Sequence, residues 1–250
     1  MRQKKQYYLA LILVTAFCLV SVINAPAQAA SSYNIATSNS TYQTKVYVID
    51  SGVAGPTVMV VGGVHGNETA GYRAAGQVKD FTVKKGRLIV IPEAHKPAIA
   101  RKSRTYNGND LNRDFPQGST QSADSYIARE IYQVVKNYDV DYLVDLHEGY
   151  DYYKSSSSTS VGQSIIYYPR NDGKTIANKV ASNLNLSISS SYRQFSVLRY
   201  PVGGSLARAS GQYLGVTSFI FETSQKQDLD TRIKQQLKAV NTILGYLNMK

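Results

Sequence analysis

The chain has 250 residues, with 28 Lys and Arg against 17 Asp and Glu for a net charge of +11, and it is 43% hydrophobic and 18% charged. That balance excludes an acidic disordered tail, a collagen-like chain and a disulfide-stapled miniprotein. The first 29 residues read as a secretory signal peptide. Arg2, Lys4 and Lys5 precede an apolar run from Leu9 to Ile23, and Ala27-Gln28-Ala29 supplies a small-x-small cleavage pattern. The run is short for a membrane span of about 20 residues, so no stable anchor is expected after cleavage. Cleavage would leave 25 basic and 17 acidic residues, a charge of +8, and would remove Cys18, the single cysteine. The expected product is secreted, thiol-free, basic and monomeric, which suits an anionic bacterial cell wall. No basic helix, RNP-like pattern or zinc-finger spacing points to nucleic acid.

Residues 30–56 read as a lead-in to one domain over 57–250. Thr57–Val61 is a β-branched apolar run expected as a buried strand, ended by Gly62-Gly63, with Asn67 capping a helix from Glu68 to Lys79. Arg87–Ile91 is a second strand. Residues 93–121 form a long irregular loop, of the kind that is usually functional. A helix over Asp124–Asn137, a strand over Asp141–Leu146 and a flexible serine-rich loop over Tyr150–Gly162 follow. Ser164–Tyr168 is a strand, Asp172–Leu184 a helix, Ser205–Leu214 a short helix, Val216–Phe221 a strand and Asp228–Leu247 a closing helix. Alternating strands and helices predict an α/β three-layer sandwich around a mixed, largely parallel sheet.

The chemistry concentrates at strand ends. His65-x-x-Glu68 follows the first buried strand, His147 ends the strand after Val144-Asp145-Leu146, and Glu222 follows Phe219-Ile220-Phe221. Open α/β sheets place their ligand crevice at the carboxyl ends of strands. Two imidazoles and one carboxylate without a thiolate make a three-ligand site with an open fourth position, the arrangement of hydrolytic zinc. A carboxylate outside the ligand set must then handle the water's proton. Glu222 fits that need, with Glu93 and Glu148 as lesser candidates.

Five ordered segments carry a resemblance: Gly62-Gly63-Val64-His65-Gly66-Asn67-Glu68, Asn109 to Pro116, Asp145-Leu146-His147-Glu148, Tyr200 to Ser205, and Phe221-Glu222-Thr223. Over roughly residues 57 to 225 the chain resembles the zinc metallocarboxypeptidase superfamily, which includes the succinylglutamate desuccinylase and aspartoacylase branch. The resemblance implies one zinc ion on His65, Glu68 and His147, with Asp110 hydrogen-bonded to the far nitrogen of His65. It implies Glu222 as general base and Arg104 facing the oxyanion, with Arg101 as a rival. Asn112 and Arg113 would hold a substrate carboxylate, and Tyr200 would close over it. Arg208, in a segment of small residues, is a candidate for the pocket that takes the substrate's terminal side chain. His95 reads as a rim or structural histidine.

Only 28 residues follow Glu222, too few for the β-rich extension that the resemblance associates with aspartoacylase-type deacylases. The expectation is therefore a secreted carboxypeptidase acting on a peptide or cell-wall substrate, specifically peptidoglycan stem peptides. An N-acyl amino acid deacylase and a non-catalytic wall-binding module are the alternatives.

Overall fold

A computed structural model describes residues 28–35 and 43–250. The expected signal peptide lies outside those residues except for Gln28 and Ala29. Among the described residues no helix is long and apolar enough to cross a membrane.

Eight strands form one sheet: β1 (Ala29–Ile35), β2 (Thr44–Asp50), β3 (Thr57–Gly62), β4 (Arg87–Ile91), β5 (Tyr142–Gly149), β6 (Ser164–Tyr167), β7 (Ser196–Arg199) and β8 (Thr217–Ser224). Their spatial order is β1-β2-β4-β3-β5-β8-β6-β7. The centre is parallel, with β3 between β4 and β5, and β8 beside β5. The flanks are mixed, since β1, β2 and β4 pair antiparallel and β6 runs against β8 but along β7. Among the described residues the α-helices are α1 (Thr69–Val78), α2 (Lys96–Ala100), α3 (Tyr126–Asn137), α4 (Gly173–Asn185), α5 (Leu206–Ala209) and α6 (Leu229–Tyr246).

Side-chain alternation divides the core in two. Val58 and Val60 join Val144, Leu146, Phe219 and Phe221 beneath α1, α4 and α6. Met59, Val61, Leu143 and Ile220 point the other way, toward α3 and α5. Both sheet faces are thus covered, which is why the central strands read as continuous apolar runs. The expected three-layer sandwich with a mixed central sheet is present.

Several boundaries differ from the sequence reading. The lead-in, residues 30–56, carries most of β1 and all of β2, and β7 lies in a stretch to which the sequence reading assigns no element. The long loop holds α2 and a single 3-10 turn, Leu111–Arg113. Asn67 does not cap α1. Glu68 occupies the N-cap position without capping its own helix, and the Ala70 N–H is satisfied instead by Glu148 Oε2 at 2.9 Å. Helix α1 lies unusually close to the sheet: a Cβ at Gly62 would sit 2.5 Å from Gly71 O, and one at Gly71 would collide with Leu146 O. That approach lets the start of α1 drop Glu68 beside the end of β5.

Candidate active site

The carboxyl ends of β3, β5 and β8 converge on one buried cluster. His65 Nδ1 lies 2.7 Å from Glu68 Oε1, and His147 Nδ1 lies 2.9 Å from Glu68 Oε2. The two Nδ1 atoms are 3.2 Å apart. One donor atom from each of these three buried residues lies within 4.8 Å of the others. Each imidazole has a carboxylate behind it. His65 Nε2 is 3.0 Å from Asp110 Oδ1, and His147 Nε2 is 3.0 Å from Asp145 Oδ2. The second contact is off the line of the ring N–H, so both Asp145 oxygens are buried without a hydrogen bond.

This donor set fits a divalent cation. Asp110 holds the proton of His65 on Nε2, leaving the Nδ1 lone pair facing a carboxylate oxygen; two acceptors at 2.7 Å require a positive charge between them. In the metal-free protein, protons take that place. Burial alone would lower His147, but Asp145 and Glu68 raise it well above its ordinary value. Burial would raise Glu68, but the two histidines hold it far below the usual carboxylate range. Tetrahedral zinc with two imidazoles, one carboxylate and one open position matches these donors.

A cleft of about 560 Å³ opens over the cluster, and Arg104, Asn112, Arg113, Tyr200 and Glu222 line it with His65 and Glu68. Glu222 pairs with His147 in the β5–β8 register, so both side chains leave the same sheet face. Its carboxyl makes no protein hydrogen bond among the described residues and is raised to about 7, by burial first, opposed by His147 and reinforced by Glu68. Glu93, by contrast, is half-exposed beside Lys96 and outside the cleft. Glu148 borders the cleft with its backbone, while its carboxylate turns to the opposite face and pairs with Arg232.

Two arginines that sequence left as rivals are separated in space. Arg104 reaches Asp110 Oδ2 at 3.2 Å and Glu68 Oε1 at 3.4 Å. Arg101 stacks on Tyr106 and binds Asn107, away from the cleft. Buried Asn112 keeps its Oδ1 without a partner, and Arg113 beside it is exposed. Tyr200 is half-exposed with φ +63°, on the turn that follows β7. Arg208 is not part of the cleft lining. Its Nε donates to Gln212 Oε1 at 2.6 Å, and its guanidinium packs over the rings of Tyr168 and Tyr200. It packs against Tyr200, outside the cleft lining. His95 is buried with an unpartnered Nδ1 and is not in the donor cluster.

A family description matches residues 54–246: the succinylglutamate desuccinylase/aspartoacylase catalytic domain. The chain belongs to this family. Among curated relatives of the desuccinylase/aspartoacylase chain, the N-alpha-acetyl-L-2,4-diaminobutyric acid deacetylase of Halomonas elongata is 33% identical over 100 residues, 38% of this chain and 29% of that protein. Among solved structures, Csd4 of Helicobacter pylori, described as a D,L-carboxypeptidase in its mDAP-bound form, superposes with a TM-score of 0.65 at 21% identity. That match covers 78% of this chain and 52% of Csd4, so the chain spans about half of Csd4 and less than a third of the deacetylase. A succinylglutamate desuccinylase/aspartoacylase from Rhodobacter sphaeroides superposes with a TM-score of 0.63 at 19% identity, covering 89% and 66%. These structures share the fold.

Three members of the site in this desuccinylase/aspartoacylase-family domain escaped the sequence reading. Asp145 was visible two residues before His147, and strand alternation places both on one face; that spacing was the available signal. Gln236 and Arg232 had none. They lie four apart on α6, where Gln236 Nε2 donates to His147 O at 3.0 Å and Arg232 compensates the buried Glu148.

Proposed function

We propose that the protein is a secreted zinc-dependent carboxypeptidase that hydrolyses the amide bond before a C-terminal residue, with peptidoglycan stem peptides as substrate. The observation that carries this reading is the cleft itself, which Asn112, Arg113 and Tyr200 line together with Glu222 and with His65 and Glu68 of the cluster. An exposed guanidinium and a half-exposed tyrosine with no carboxylate partner suit a free terminal carboxylate. Bound to His65, Glu68 and His147, zinc would supply Lewis acidity and lower the pKa of a water toward neutrality. Glu222, free of hydrogen bonds and held near 7, would take a proton on its carboxylate and return it to the leaving nitrogen. Arg104, tethered to Asp110, would present its remaining N–H groups to the developing oxyanion. The D,L-carboxypeptidase description of Csd4 supports the wall-peptide reading.

Deacylation of an N-acyl amino acid is the second reading, favoured by the family match and by the deacetylase relative. It uses the same machinery, with the amino acid's carboxylate on Arg113. A single assay separates the two. Zinc-loaded protein is incubated with stem peptides bearing free or amidated C-termini and with N-acetyl and N-succinyl amino acids, and products are read by mass spectrometry. Carboxypeptidase action requires cleavage of the free peptides and at least about a hundredfold loss on amidation, because Arg113 is left without its partner. Turnover of the N-acyl amino acids alone would replace it with deacylation.

A further inference from the structure

The mouth of the cleft carries a feature that hydrolysis does not use. The loop between β5 and β6, residues 150–162, is built of tyrosines and hydroxyl residues, with Tyr150, Tyr152, Tyr153 and a run from Ser155 to Ser160. It is pinned rather than slack. Tyr153 N donates to Gly162 O at 2.7 Å, Ser160 Oγ donates to Asp151 O at 2.7 Å, and the Tyr150 hydroxyl lies 3.1 Å from Thr159 Oγ1. On this closed frame Tyr150 is 58% exposed and Tyr153 42% exposed. The turn before β7 adds Tyr192, 43% exposed, whose ring meets that of buried Tyr152 edge-on at 5.0 Å. Lys154 Nζ ties the two segments by donating to Ser191 O at 3.2 Å, and the Arg193 guanidinium packs over one face of the Tyr152 and Tyr192 rings.

Beyond the contacts that hold the loop, Tyr150, Tyr153 and Tyr192 leave about half of their surface exposed on two short joined segments. Rigid aromatic anchors among adaptable hydroxyls are the composition of recognition surfaces, and aromatic side chains combine an apolar face with a polar tip. The platform is continuous with the cleft, since Tyr150, Thr159, Ser160 and Val161 line it. Ile166, Leu198 and Ile220 line the same cleft from the sheet, on the α3 and α5 side. A substrate seated between these linings would bring its outer part beside the loop that carries the exposed tyrosines.

We propose that this Tyr/Ser platform binds a saccharide unit carried by the substrate, so that the enzyme prefers glycan-linked peptides to free ones. A pyranose ring has the matching chemistry: an apolar C–H face for Tyr153 and Tyr192, and hydroxyls and N-acetyl groups for Ser155 to Thr159. Lys154 and Arg193 leave room for an acidic substituent on the sugar. The substrate assignment rests on the carboxypeptidase reading, but the test does not depend on turnover.

Glu222→Gln protein is titrated with a stem peptide, the same peptide joined to its disaccharide, and N,N′,N″,N‴-tetraacetylchitotetraose as a peptide-free probe. The glycan-linked peptide should bind at least about five times more tightly than the free peptide, and the tetrasaccharide should bind measurably. In Tyr153→Ala plus Tyr192→Ala that advantage should vanish, and in Tyr153→Phe plus Tyr192→Phe, which keeps the rings, it should survive at least in part. The phenylalanine pair also distinguishes lost stacking from lost folding. Equal binding of free and linked peptide by the wild-type surface, or an advantage unchanged in the alanine pair, overturns the proposal. If no peptide is hydrolysed by the zinc enzyme while the glycan advantage holds, the carboxypeptidase reading falls and the saccharide site stands.

Discussion

Each residue of the cluster is fixed by the group behind it, and that makes the roles separable. His65→Ala or His147→Ala should abolish stoichiometric zinc. Asp145→Asn should retain the fold but weaken zinc by about 10–100-fold, the usual effect of removing a partner behind a ligand; competition against a chromophoric chelator reads both. An unchanged affinity in Asp145→Asn would mean that the off-line contact with His147 does not matter. Glu222 offers a test without metal. Its carboxyl, raised to about 7, keeps a proton in the folded chain that the unfolded chain has already lost. That contribution favours folding at low pH and disappears as pH rises through 7. Metal-free Glu222→Gln should therefore melt above metal-free wild type at pH 8, by an amount on the order of 2 kcal/mol, with the two converging near pH 4. Equal melting at pH 8 would show that Glu222 is not raised. Arg208, packed against Tyr200, should act through it: Arg208→Ala should raise KM alike for peptides ending in acidic and neutral residues, and a selective loss for the acidic ones would put Arg208 back in the pocket.

At the scale of elements, the strands and helices with strong apolar periodicity were legible, and so were the residues at their ends. Thr57–Val61 and Arg87–Ile91 could hardly be anything but buried strands, and the five ordered motifs marked the cleft. What stayed hidden has a physical cause. Strand β1 is a nearly fully exposed run of small and polar residues, held by pairing with β2 and not by its own pattern. Strand β7 has four half-buried or exposed residues, too few for a period to register. Arg232 and Gln236 reach the site across α6 from a distance in sequence that no local spacing encodes. The same applies to the close seat of α1. Gly71→Val should cost about 1–3 kcal/mol and weaken zinc, because the added carbons push α1 and Glu68 away from Leu146. Gly76, on the same helix, has open space where its Cβ would be, so Gly76→Ala should stabilise by about 0.5–1 kcal/mol and leave zinc unchanged. Chemical denaturation of the three proteins settles it; equal stabilities for both variants would remove the packing argument.

At the scale of the whole molecule, charge and topology point the same way. If the proposed secretion removes residues 1–29, the remaining charge of +8 predicts that retention on an isolated anionic wall preparation falls steeply between about 50 and 500 mM salt, while kcat on a soluble substrate changes little. Salt-independent retention would assign wall affinity to the cleft or the tyrosine platform. The strand order carries a consequence for how the molecule comes into being. Strand β8, the last in chain order among the strands of the described residues, sits between β5 and β6, and Gln236 beyond it holds the carbonyl of His147. A nascent chain not yet extended through β8 and α6 has a gap in the middle of its sheet. It has neither Glu222 nor the brace under His147. If the chain is exported as proposed, it would cross the channel with its sheet open and its cluster incomplete, and the candidate active site would be assembled only once α6 docks on the far side.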